Sequence, residues 1–191
     1  MSSQRVNPGV LVLSGPPCSG KSAIGRLLAA EPPLPDLVHV EVDALFDLLL
    51  PGSDRNRRDR QLAYDAAHAV ARLALDRGRC VLLECTYARR DQRASLVAAL
   101  ADLPRVPLWV VEVQVSPEEA VHRFRQREQE TDLDDELVRE RAAVFPYSDQ
   151  ALRLTSSAAT PADHARALAA WLADRPGAVR AGRWAAAGRP S

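Results

Sequence analysis

One octapeptide restricts what this chain can fold into more than any other stretch: Gly15, Pro16, Pro17, Cys18, Ser19, Gly20, Lys21 and Ser22. It follows Val10-Leu11-Val12-Leu13-Ser14, a short continuous apolar run of the kind a strand buried on both faces carries. Beyond it, Ile24, Leu27 and Leu28 recur at helical spacing to about Ala30, and Pro32, Pro33 and Pro35 then forbid further helix. A strand, a loop with glycines at its first and sixth positions, and a helix start make a phosphate-binding loop. The glycines let successive N–H groups turn inward around an anion, and the helix start adds its positive end. In that arrangement Lys21 reaches the β- and γ-phosphates as a point charge, and the Ser22 hydroxyl offers an oxygen to Mg²⁺.

Composition sharpens the reading of Lys21. Of the 25 basic residues 24 are Arg and one is Lys, and 32 residues are Ala, so a coding bias towards Arg shapes the chain. A position that stays Lys under that bias needs a compact ammonium and not a planar fork. The 25 acidic residues balance the basic ones, so no overall field recruits nucleic acid or an anionic membrane. No apolar run approaches the roughly 18 residues of a membrane span, and residues 1–8 lack the order of a signal peptide. Cys18, Cys80 and Cys85 have no metal-ligand spacing and read as thiols of a reducing compartment, so a cytoplasmic location is expected.

Strand and helix patterns alternate through the body. Val38, Val40 and Val42 alternate with His39, Glu41 and Asp43 as a second strand, and a short helix over 45–50 stops at Pro51-Gly52. An arginine-rich loop over 53–60 leads into a long helix that ends at Gly78, and Cys80 to Leu83 is a third strand. A helix over about 91–101, a fourth strand over 108–115, and a helix opened by Ser116-Pro117-Glu118-Glu119 follow. That helix runs to about Glu128. An acidic link from Glu130 to Glu136, a further helix to about Val144, a weak fifth strand over 151–155 and a helix over 161–173 complete the body. From Asp174 onward the residues are Ala, Gly, Pro and Arg with little periodicity, which predicts a flexible tail after a single domain over 1–173. The pattern is α/β: a three-layer sandwich with a five-stranded, mainly parallel sheet and its ligand site at the carboxyl ends of the strands.

The segment from Gly15 to Leu28 resembles the opening of the P-loop kinases, in particular the small ATP-dependent group of polynucleotide kinase, zeta toxin and chloramphenicol phosphotransferase. The resemblance spans roughly 10–172, with the phosphate loop as its specific part, and implies a P-loop NTPase fold with a helical lid, ATP and Mg²⁺. It also implies that Asp43, at the end of the second strand, handles the acceptor hydroxyl. A helix N-cap is the plainer role for Asp43, and Asp47 is its substitute one turn on. Glu84 closes the third strand, where an acid orders Mg²⁺-bound water; the related kinases often carry aspartate there. Thr86 would line the acceptor pocket. The group carries lid arginines after the fourth strand that close over the transferring phosphoryl group, and Arg123 and Arg127 occupy that place at i, i+4. Glu119 offers Arg123 a plain surface pair, and Arg139 and Arg141 are second lid candidates. Arg55, Arg57, Arg58 and Arg60 form either a solvated loop or a holder for an anionic acceptor, with Arg58 the candidate substrate contact.

The function expected is an ATP:Mg²⁺-dependent kinase acting on a hydroxyl of a small molecule such as an antibiotic, a nucleoside or a sugar-like metabolite. With few aromatics to stack bases, a polynucleotide 5′-hydroxyl is the less favoured acceptor. A nucleotide-dependent switch without an acceptor is the alternative from another class. Neither the acceptor nor the oligomeric state is readable from the residues.

Overall fold

In β1 (Val10–Ser14) every residue is buried, as a strand covered on both sides requires. In this computed structural model, which describes residues 8–31, 37–127, 133–174 and 176–190, it is the central strand of a five-stranded sheet. Its neighbours are β3 (Cys80–Glu84) and β4 (Leu108–Gln114), flanked by β2 (Leu37–Glu41) and β5 (Leu152–Thr155), in the order β2-β3-β1-β4-β5. Every pairing is parallel.

Alternation along the strands divides the core in two. Val10, Val12, Val81, Leu83 and Val110 face one side, where they meet α2 (Val42–Leu49), α3 (Arg57–Asp76) and α4 (Arg90–Ala99). Leu11, Leu13, Leu82, Val111 and Val113 face the other, against α1 (Lys21–Ala30) and α7 (Pro161–Ala173). This two-residue period, read against helices on both faces, is what makes three layers. A smaller cluster joins Cys18 of the loop to Val121 of α5 (Pro117–Arg125) and Val138 of α6 (Asp135–Ala143), the pair at the lid position. Helix starts follow the cap chemistry: Ser116 accepts from the Glu119 N–H, and Thr160 and Asp163 form a capping box that spans Pro161.

The structure corrects the expected elements in four places. The second strand ends at Glu41, and Val42 already belongs to α2, where it pairs at i, i+4 with Phe46 in the core. Val42 satisfies both the period of two before it and that of 3.6 after it, so the alternation overran the true boundary. The arginine-rich segment is helix from Arg57, because Asn56 caps it by accepting from the Asp59 N–H. The helix after β4 stops at Arg125, short of Arg127.

The fourth correction is the largest. Residues 176–190 dock instead of fraying: Val179 N–H donates to Leu108 O at 2.8 Å, and α8 (Ala181–Ala186) places Trp184 in the core with no exposed surface. Trp184 packs on Tyr87 and on the Arg93 guanidinium, 5.2 Å from its ring. Arg93, fully buried, donates to the carbonyls of Tyr87 (2.7 Å), Pro146 (2.8 Å) and Trp184 (3.1 Å) and to Glu112 Oε1 (3.3 Å). Glu112 in turn accepts from the Ser148 N–H at 2.7 Å, so the buried charges are paired and hydrogen-bonded. Pro32, Pro33, Pro35, Glu128 and the start of the acidic link at Glu130 lie outside the described residues.

Candidate active site

The loop leaves β1 at Gly15, whose φ is +149°, and there a Cβ would sit 2.6 Å from the carbonyl oxygen of Val113. Only glycine allows that approach. Gly20 (φ +94°) is the N-cap of α1, and Cys18 holds φ +60° between the two glycines, so the chain curls around a small space. Lys21 lies in the first turn of α1, and its Nζ donates to Pro16 O at 3.0 Å, folding the ammonium across the loop. Burial pushes the Cys18 thiol up, against the opposing charges of Arg127, Lys21 and Arg123.

Glu84, at the carboxyl end of β3, is 5% exposed. Ser22 Oγ donates to its Oε1 at 2.5 Å, and His39 Nε2 lies 3.1 Å from its Oε2. Burial works against its charge, but the hydrogen bonds from His39 and Ser22 and the charge of Lys21 outweigh it and hold the carboxyl below its ordinary value. A buried carboxylate kept ionised beside a serine hydroxyl is a pair of hard oxygens of the kind Mg²⁺ takes. Gly25 makes the arrangement possible, since a Cβ there would lie 3.0 Å from both Glu84 Oε2 and His39 Nε2. The sequence assigns His39 no role, because the four histidines are scattered without metal spacing; its one signal is a polar residue two before the end of a strand that pairs with β3.

Asp43 sits in the first turn of α2, neither on the strand nor at its N-cap, which is Glu41. Its side chain is 76% exposed, with Arg55 Nη1 3.7 Å away, and it faces a cavity of about 350 Å³. Thr86 and Cys85 line the same cavity, as does Pro17 of the loop. Asp47 does not line it and is bound by Arg55. Ser14 Oγ, donating to Thr86 O at 2.7 Å, ties this wall to the phosphate loop. Beneath it Tyr64 OH and Cys85 Sγ are 2.9 Å apart, and burial pushes the Cys85 thiol up to about 12, so it stays protonated.

The arginines divide differently from expectation. Arg123 is held by Glu119 at 2.6 Å and by Ser156, and donates to Ser19 O at 3.4 Å. With Ser156, Thr160 and Pro161 it lines a second cavity that shares no residue with the first, so it does not stand beside Asp43. Arg127 falls past the end of α5 and does not share its helical face. Arg58 faces away from the first cavity, while Arg55, Arg57, Arg60 and Arg141 of α6 line it. Arg139 lies on the exposed side of α6.

A family model described as an AAA domain (AAA_33) matches residues 10–147. The chain belongs to this AAA domain family. No curated protein sequence matches it. Solved structures resemble it over most of its length. A sugar kinase from Janibacter sp. HTCC2649 has a TM-score of 0.66 at 17% identity, covering 95% of this chain and 99% of that one. A gluconokinase from Sinorhizobium meliloti 1021 has a TM-score of 0.62 at 22% identity, covering 89% and 94%. The APS kinase CysC of Mycobacterium tuberculosis, in complex with AMPPNP and APS, has a TM-score of 0.66 at 18% identity, covering 88% and 98%. This AAA domain protein therefore has the fold of the small P-loop kinases. Among its described residues no helix is long and apolar enough to cross a membrane.

Proposed function

We propose that the protein is an ATP-dependent phosphotransferase that moves the γ-phosphoryl group of ATP to a hydroxyl of a small molecule. The observation that carries this reading is the cavity that brings Asp43 and Thr86 to the edge of the phosphate loop at Pro17. A protein that only bound and hydrolysed nucleotide has no use for a further cavity beside the phosphate loop with a carboxylate at its wall.

In this reading the loop amides and Lys21 hold the phosphates, and Ser22 and Glu84 are the residues that would hold Mg²⁺. Mg²⁺, when bound, neutralises charge on the β- and γ-oxygens. Asp43 orients the acceptor hydroxyl and takes its proton as that oxygen bonds to the γ-phosphorus. The bond from phosphorus to the β–γ bridging oxygen breaks, and ADP leaves. Arg127, whose charge reaches Cys18, and Arg141, on the cavity wall, supply positive charge for the equatorial oxygens. Arg123 serves the nucleotide's other end, where Ser156 and Pro161 give the second cavity a polar and an apolar wall.

The test is ADP release and acceptor mass in a panel of hydroxyl compounds with ATP and Mg²⁺. Turnover should be slow with ATP alone, rise many-fold with the right alcohol, and leave that alcohol about 80 Da heavier, one phosphoryl group. ATP turnover indifferent to every alcohol would favour a nucleotide-dependent switch.

A further inference from the structure

The charge of the first cavity goes beyond what phosphoryl transfer itself requires. Six arginines line it: Arg55, Arg57, Arg60, Arg89, Arg141 and Arg189. The lining residues include two carboxylates, Asp43 and Asp91, in a chain whose overall charge is zero. Arg57 lies 2.8 Å from Asp91 and Arg55 3.7 Å from Asp43. Arg55 is bound by Asp47 as well, from outside the lining, and the wall as a whole still holds more arginines than carboxylates.

Arg189 comes from the segment expected to be a loose tail. The buried Trp184 anchors that segment, and the backbone then stitches it to the link after β3. Arg189 N–H donates to Ala88 O at 2.9 Å, and Arg90 N–H donates to Arg189 O at 2.8 Å. Gly188 permits the approach, since a Cβ there would lie 2.7 Å from Arg90 N. The result is a parallel bridge that sets Arg89 directly opposite Arg189. Like charges opposed in a bridge repel each other, and an anion held between them removes the repulsion.

We infer that the phosphoryl acceptor is itself an anion, a small alcohol bearing a phosphate or a carboxylate, and that Arg189 and Arg89 bind its anionic group while Asp43 takes its hydroxyl. This rests on the transferase reading and names its substrate class. At about 350 Å³ the cavity is near the lower end of small-molecule sites, the size of a phosphosugar or a sugar acid and not of a nucleic-acid strand. The C-terminal segment thereby becomes part of the binding site, although it lies beyond the residues the family model matches.

Calorimetric titration tests this without relying on turnover. The full chain is titrated with ribose 5-phosphate against ribose, the phosphate arm, and with gluconate against glucose, the carboxylate arm. At least one anion should bind about tenfold or more tighter than its neutral partner, as charge-assisted hydrogen bonds require. The preference should survive Lys21→Ala, which weakens the phosphate loop, and disappear in Arg189→Gln. Arg89→Gln repeats the test should the first variant unfold. A preference lost with Lys21→Ala places the anion in the phosphate loop and overturns the inference. So does a preference that survives both arginine variants, or no preference in either arm. An oligonucleotide with a 5′-hydroxyl that binds tighter than both anions and depends on Arg189 overturns the small-molecule class. Anion binding through Arg189 without phosphoryl transfer from ATP upholds the anion site and refutes the transferase reading alone.

Discussion

Replacing Trp184 by alanine removes the largest side chain with no exposed surface, from a segment whose sequence suggests no structure. The ring packs on Tyr87, centroids 5.7 Å apart, and under the Arg93 guanidinium, so its removal opens a cavity among residues of α4, the β3–α4 link and α8. Fully buried aromatic side chains of this kind cost about 3–5 kcal/mol on truncation. The backbone carbonyl of residue 184 remains to accept from Arg93, so the loss comes from packing and not from the buried ion pair. For a domain of this size about 1 kcal/mol moves the melting temperature by roughly 2–4 °C, so a fall of about 6–20 °C is expected. Thermal unfolding followed by far-ultraviolet circular dichroism measures it directly, and Trp184→Phe should recover a large part of the loss. A Trp184→Ala protein that melts within about 2 °C of the parent, less than 1 kcal/mol, would mean that α8 is not docked. Arg189 would then have no fixed place in the cavity.

Three further outcomes follow from the site and the core. Lys21→Arg should weaken ATP binding by about 10–100-fold, because a planar fork cannot take the position of the ammonium at Pro16 O; titration with a non-hydrolysable ATP analogue measures this, and near-normal affinity contradicts it. Glu84→Gln should lower turnover at limiting Mg²⁺ and recover as Mg²⁺ is raised, whereas a defect indifferent to Mg²⁺ would separate Glu84 from the metal. His68, buried between Ser95 Oγ (3.1 Å) and Tyr87 OH (3.0 Å), has its pKa lowered to about 4 by burial, Asp65 opposing. The unfolded chain gains this proton below about 6.5 and the native one only near 4, so stability falls as pH drops through that interval, by about 2 kcal/mol between pH 7 and 5. Urea unfolding at the two pH values should show that loss in the parent and a clearly smaller one in His68→Gln.

The phosphate loop was legible because its chemistry lies in consecutive residues, and Glu84 because an acid ending an apolar run marks a strand's exit towards solvent. Asp43 was legible as a residue but not in its setting, since Val42 fits the strand and helix periods equally. The cavity wall was not legible. Its arginines come from residues 55 to 189, and only the sheet order and the α8 dock bring them to one place. Trp184 gave one signal, a large aromatic in a stretch of small residues, but a six-residue helix has no apolar face to read, and its burial is decided by Tyr87 and Arg93. Arg123 and Arg127 show the same limit, because an i, i+4 relation means one face only while the helix lasts, and α5 ends at Arg125.

The most direct measurement is single-turnover phosphoryl transfer from ATP to an acceptor found in the hydroxyl panel, compared between the parent and Asp43→Asn. Asparagine keeps the shape of the side chain and removes its charge, so ATP affinity and melting temperature should hold while the transfer rate falls about 10²–10⁴-fold, the range for losing a positioned acid–base group. Equal transfer rates in the two proteins would contradict the assignment of the hydroxyl proton to Asp43.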